Sequence, residues 1–161
     1  FLIRDRTRAW FADALTAACL KHGVNLWAYV LMPEHVHLLV WPAREGYSIS
    51  GFLKSIKQSV SRRALRHLRR ENPTGLSAME TNERGTRAVR WRFWQAGGGY
   101  DRNVTDFRTL RPMIDYLHNN PVRRGLVEDV LDWRWSSARS WELDEDGPIP
   151  IAKDSLPPLT R

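Results

Sequence analysis

The chain has 161 residues, 42% of them hydrophobic, with a formal net charge of +7 and a sequence pI near 10.2. That length fits one globular unit with a sizeable core. No apolar run approaches the ~20 residues that span a bilayer, and the start at Phe1 lacks a basic-then-apolar signal pattern. A soluble, cytoplasmic protein is expected, one whose N-terminus was trimmed or that is a fragment.

Four of the 25 cationic residues are lysines (Lys21, Lys54, Lys57, Lys153) and the rest are arginines, the residue suited to bidentate phosphate contacts and to stacking on bases. Residues 1–127 carry a net charge of +11 and residues 128–161 one of −4. A basic body with an acidic tail points to a polyanionic partner; a compositional bias toward arginine is the competing explanation. Cys19 is the single cysteine, has no internal disulfide partner, and reads as a small buried hydrophobe.

From Arg8 to His22 the apolar positions Phe11, Ala14, Leu15, Ala18 and Cys19 follow helical spacing, and Gly23 ends the run as a C-cap. Residues 25–32 (NLWAYVLM) and 35–41 (HVHLLVW) read as two strands around a Pro33-Glu34 break, an antiparallel hairpin. From Ile49, the residues Phe52, Leu53, Ile56, Val60, Ala64 and Leu68 keep the 3.6 period, with Lys54, Lys57, Arg62 and Arg66 mostly off that face. A long helix with one apolar and one cationic side results. Residues 72–90 have no usable period and read as a loop, followed by the aromatic and glycine-rich WRFWQAGGGYDRNV. Thr105 then reads as the N-cap of a helix bearing Phe107, Leu110, Ile114 and Leu117, with Pro112 either kinking it or marking its true start. From Asp144 the chain is acidic and Pro-rich. The expected organisation is a domain over 1–143 and a poorly ordered tail over 144–161.

Two stretches carry chemistry. In MPEHVHLLV (residues 32–40), His35 and His37 fall on one strand face while Val36, Leu38 and Val40 fall on the other. A pair of histidines satisfied by hydrogen bonds at a sheet surface is the bland alternative. In DYLHNNPVRRGLV (residues 115–127), Tyr116 and Asn120 are four apart and share a helix face. If that face docks over the histidines, two imidazole nitrogens and an amide oxygen converge on a divalent cation beside a phenol, with positions left open for substrate. His-His-Asn suits manganese, zinc or nickel better than magnesium on ligand chemistry alone. Tyr100 is a rival nucleophile without an amide or histidine at helical spacing. His118 points away from Tyr116 and reads as a surface or capping histidine, and Glu34 as a turn residue in preference to a partner that orients a histidine.

The tandem of MPEHVHLLV, the basic helix, the FWQ and YDR segment, YLHNNPVRRGLV and DWRWSSARSW resembles the REP-associated tyrosine transposases, single-tyrosine transposases of the HUH endonuclease superfamily. The resemblance runs from the first helix to about Trp141. It implies an α+β, ferredoxin-like antiparallel sheet with helices packed on one face, here with the family's first strand short or missing. It also implies His35, His37 and Asn120 as ligands of a divalent ion, Mg2+ or Mn2+, and Tyr116 as the nucleophile that forms a 5′-phosphotyrosine link. The implied activity is cleavage and strand transfer of single-stranded DNA at or near hairpins of the REP-palindrome type, by a monomer or homodimer without membrane contact. Cations expected to meet the DNA are Lys54, Lys57, Arg62, Arg66, Arg102, Arg123 and Arg124. A catalytically inactive module that binds structured nucleic acid is the alternative, and a hydrolase of small phosphoesters a weaker one.

Overall fold

A computed structural model of the chain describes residues 2–82, 89–91, 93, 94 and 103–157. Its centre is the expected hairpin, in which β1 (Val24–Leu31) pairs antiparallel with β2 (Val36–Pro42). Leu26 lies opposite Val40 and Ala28 opposite Leu39, so Trp27 is an extra residue in the ladder. Such a bulge moves the side-chain alternation by one. Val24, Leu26, Tyr29 and Leu31 therefore face one core, and Trp27, Ala28, Val30 and Met32 the other.

The first core is closed by α1 (Asp5–His22) and α2 (Ile49–Glu71). Gly23 ends α1 at φ +62°, its N–H returning to the Cys19 carbonyl, a left-handed position where glycine carries no Cβ penalty. At the start of α2 the Ser48 hydroxyl accepts from the Gly51 N–H at 3.1 Å. Four residues apart along α2, Phe52, Ile56, Val60 and Ala64 are all buried in the cluster that holds Phe11, Leu15 and Ala18 of α1 and Val36, Leu38 and Val40 of β2.

Of the helices expected on one sheet face, α1 and α2 lie there, and a third helix lies across the opposite face. That helix, α3 (Leu110–His118), buries Leu110, Ile114 and Leu117 against Trp27, Val30, Met32 and Leu39. Its cap is Asp106 rather than Thr105: the carboxylate accepts from the Arg108 N–H at 3.0 Å and opens a 3-10 turn, Phe107–Thr109, that runs into α3. Pro112 is then the third residue of α3, where its missing N–H forfeits no intrahelical bond, so it marks the helix start and not a kink. After Asn119 the chain turns into α4 (Asn120–Arg123).

Residues 72–90, expected to be a loop, contain a 3-10 segment, Pro73–Met79, and two short strands, β3 (Glu80–Asn82) and β4 (Val89–Trp91), which pair antiparallel. Strands of three residues are too short to display a period. Among the described residues no strand precedes α1; Leu2 is buried and its N–H donates to the Pro33 carbonyl at 3.0 Å.

The edge of β1 away from β2 is covered by the C-terminal third of the chain. Leu31 N–H donates to the Trp135 carbonyl (2.8 Å), Ser137 N–H to the Tyr29 carbonyl (3.0 Å) and Ala152 N–H to the Leu26 carbonyl (2.8 Å). The Trp141 indole, on α5 (Ala138–Glu142), donates to the Trp27 carbonyl at 3.0 Å. Ile149 is 1% exposed inside the first core. A buried strand edge must have its polar groups paired, and the few apolar residues among the tail's charges supply the anchor. Among the described residues no helix is long and apolar enough to cross a membrane.

Candidate active site

His35 and His37 stand where strand alternation puts them, on the face opposite the Val36, Leu38 and Val40 that pack into the first core. Their Nε2 atoms are 2.9 Å apart and the rings meet edge to face. Burial, and then the neighbouring His35, hold the His37 imidazole below the ordinary histidine range. His37 is therefore neutral near pH 7, with a lone pair to offer. The Glu34 carboxylate, read first as a turn residue and second as a partner for a histidine, lies 4.0 Å from His35 Nδ1. That is the ring nitrogen left over when Nε2 takes a ligand.

Tyr116 lies in the last turn of α3 with 58% of its surface exposed, open to a large substrate. Asn120 opens α4, and its amide nitrogen donates to the carbonyls of Tyr116 (3.0 Å) and Leu117 (3.1 Å). The relation of one helical turn thus survives the break at Asn119. Both amide hydrogens are spent on the end of α3, which turns Oδ1 the other way. The guanidinium of Arg123 lies 4.8 Å over the Tyr116 ring.

His37 of β2 and Tyr116 of α3 line one groove of about 970 Å³, together with Trp41, Tyr47 and Met113. His35 is tied to that groove through the His37 ring, and Asn120 through the Tyr116 carbonyl. Among the described residues no cluster of three His, Cys, Asp or Glu exists that could hold a metal, and Asn120 Oδ1 is a neutral oxygen that could serve as a third donor. The histidine pair fits a shared ion: two nitrogens each about 2.1 Å from one metal and near a right angle lie about 3 Å apart.

The expected cations divide into two groups. Arg123 and Arg124 are exposed at the end of α4, Arg123 lying over the Tyr116 ring. Lys54, Arg62 and Arg66 are exposed and Lys57 half-buried on α2, which covers the other face of the hairpin; of α2, Ile49 alone lines the groove. Arg102 and the rival Tyr100 lie outside the described residues.

His118 is not at the surface. It is 3% exposed, its Nε2 sits 2.8 Å from the Ser137 hydroxyl, and burial pushes the imidazole down to about 4. The signal was available: positions 110, 114, 117 and 118 make one helical stripe, and a polar residue inside an apolar stripe belongs to the buried face. Ser137 carries no comparable mark in the sequence.

Residues 2–119 match the family described as Transposase IS200 like, and the chain belongs to that family. Among its relatives it is similar to a putative REP-associated tyrosine transposase of Haemophilus influenzae, 26% identical over 143 residues that cover 84% of this chain and 75% of that protein. It is also 29% identical over 117 residues to the REP-associated tyrosine transposase of Escherichia coli K12, covering 71% of this chain and 53% of that protein. A solved structure of a REP-associated tyrosine transposase bound to a REP hairpin shares the fold, with a TM-score of 0.62 at 19% identity over 92% of this chain and 75% of that one.

Proposed function

We propose that the protein is a metal-dependent endonuclease and strand transferase of single-stranded DNA, acting at or near hairpins of the REP-palindrome type. The observation that carries the proposal is the shared groove, where His37 and the exposed Tyr116 arrive from different elements onto one cavity. In this reading His35, His37 and Asn120 hold a divalent ion, Mg2+ or Mn2+. When bound, that ion polarises the scissile phosphate and neutralises its charge.

The protein's own residues do the rest. The Tyr116 oxygen attacks phosphorus, the bond from phosphorus to the 3′ oxygen breaks, and the phenolic proton leaves so that a free 3′-hydroxyl and a 5′-phosphotyrosine remain. The linkage keeps the energy of the broken phosphodiester, which rejoining needs and hydrolysis would discard. The Arg123 guanidinium over the Tyr116 ring stands beside the attacking oxygen, where its donors can meet the scissile phosphate. Arg123 and Arg124 hold the phosphates next to the break, and the α2 cations hold the backbone of the hairpin on the other face of the molecule. The hairpin as partner is supported by the solved structure of a REP-associated tyrosine transposase bound to a REP hairpin, and on this reading the protein works in the cytoplasm.

The test is a denaturing gel of protein incubated with labelled hairpin oligonucleotide and manganese. A slow, protease-sensitive band is expected from wild type and absent from Tyr116→Phe, which keeps oligonucleotide binding. Survival of the band in Tyr116→Phe refutes the assignment of the nucleophile, and absence of the band from wild type on its cognate hairpin favours a binding module.

A further inference from the structure

For a reaction at Tyr116, α3 must be held at one depth and one rotation over the histidine strand. Ile114 and Leu117 bury apolar surface against Val30, Met32 and Leu39, and apolar burial is non-directional. A helix seated only that way is free to slide or turn slightly, and about 1 Å of misplacement can cost a reaction a hundredfold.

One buried polar contact removes that freedom. His118 is two residues from Tyr116, about 200° around the helix, so as Tyr116 faces out at 58% exposure His118 faces in at 3%. Its Nε2 lies 2.8 Å from Ser137 Oγ. The same Ser137 hydroxyl accepts from the Tyr29 N–H at 2.9 Å, and the Ser137 N–H donates to the Tyr29 carbonyl at 3.0 Å. Ser137 is thereby fastened at both its side chain and its backbone to the edge of β1. On the β2 side of β1, Tyr29 and Val30 stand opposite Leu38 and His37. An unbroken series of hydrogen bonds thus runs from the end of α3 to the hairpin that bears the histidines. The Arg111 guanidinium of α3 also reaches the C-terminal segment, donating to Glu142 at 2.7 Å, but that pair lies at the exposed surface.

We infer that His118 is a positioning residue: through Ser137 it sets the register of α3 against the hairpin, and so the placement of the Tyr116 oxygen relative to the His35 and His37 side. It touches neither DNA nor metal. A buried polar pair of this kind is costly when half-satisfied and specifies one arrangement when complete. The inference rests on the reading of Tyr116 as the nucleophile, but its geometric core does not need that reading.

The experiment uses the full chain labelled with 3-fluorotyrosine, the Tyr116 resonance being assigned by its loss in Tyr116→Phe. Wild type is expected to give one sharp fluorine signal for Tyr116. His118→Leu keeps the volume and loses the hydrogen bond, and should shift or broaden that signal; Ser137→Ala should do the same, and His118→Gln, whose amide reaches a similar point, should restore it. In parallel, adduct formation at saturating hairpin oligonucleotide should slow tenfold or more in His118→Leu and Ser137→Ala, with oligonucleotide affinity within about twofold, and the double variant should be no slower than either single one. An unchanged Tyr116 signal and an unchanged rate in folded Ser137→Ala would overturn the inference, even if His118→Leu does not fold. If wild type forms no adduct at all, the proposed function fails while the fluorine spectra still decide the positioning role.

Discussion

Arg123 places its guanidinium 4.8 Å over the ring of Tyr116, seven residues back along the α3 and α4 turn. The planar fork that stacks on the ring also offers donors to a phosphate lying beside it. Arg123→Ala is expected to slow adduct formation about a hundredfold, in the range seen when one preorganised donor is removed. Arg123→Lys keeps the charge and loses the planar stack, so it should recover only part of the rate. Single-turnover cleavage at saturating oligonucleotide measures both, and an Arg123→Ala rate equal to wild type would place this residue outside the reaction.

The histidine pair should bind metal as a unit. His35→Ala and His37→Ala are each expected to weaken manganese binding more than tenfold in calorimetric titration while leaving the melting temperature of the metal-free protein close to wild type. Protons compete for the same nitrogens. Because burial and His35 lower the His37 value, proton competition at His37 should set in only below the ordinary histidine range near 6.5, and affinity should fall at lower pH. Retention of full affinity by both variants would show that the 2.9 Å contact between the rings is structural.

Salt dependence should report the α2 cations separately from the active site. Replacing exposed Arg62 or Arg66 by alanine is expected to reduce the slope of log affinity against log salt by about 0.7 for single strands, for each phosphate no longer neutralised. The adduct rate at saturation should not change, because these residues lie across the hairpin from the groove. Equal slopes in wild type and both variants would remove α2 from the DNA interface.

Acid should loosen the molecule through His118. Its folded value is pushed down to about 4 by burial, below the unfolded value near 6.5, so the folded state binds the proton less well than the unfolded chain. Stability is whole above pH 6.5 and declines as pH falls through the window to about 4, by about 3 kcal/mol. His37, lowered in the same direction, adds to that slope. Urea midpoints measured across the window should fall steeply in wild type and less steeply in His118→Gln; identical slopes would deny that His118 is buried neutral.

Ile149 tests whether the acidic tail belongs to the fold. It is 1% exposed, and its N–H donates to the Tyr29 hydroxyl at 3.2 Å. Ile149→Ala should cost roughly 2–5 kcal/mol of unfolding free energy. A change under about 0.5 kcal/mol, the size of an ordinary surface substitution, would show the tail to be dispensable.

Much of this molecule is written locally. Alternation in MPEHVHLLV separates the histidines from the valines because a strand has a period of two, and the caps at Gly23 and Ser48 follow from the few residues that tolerate those backbone sites. The spacing of Tyr116 and Asn120 determined that they would be neighbours, since four residues make one turn of any helix. Tertiary structure decided what local rules do not reach. The Trp27 bulge reassigned half of β1 to the other core, because pairing with β2 outweighs a strict alternation. The tail was drawn in by an edge of β1 that needed partners, a demand invisible in the tail's own composition. The convergence of His37 and Tyr116 on one groove, and the tie from His118 through Ser137 to Tyr29, join residues about 80 to 110 positions apart in the chain. Contacts of that range are selected by the packing of α3 on the hairpin, and no periodicity along the sequence encodes them.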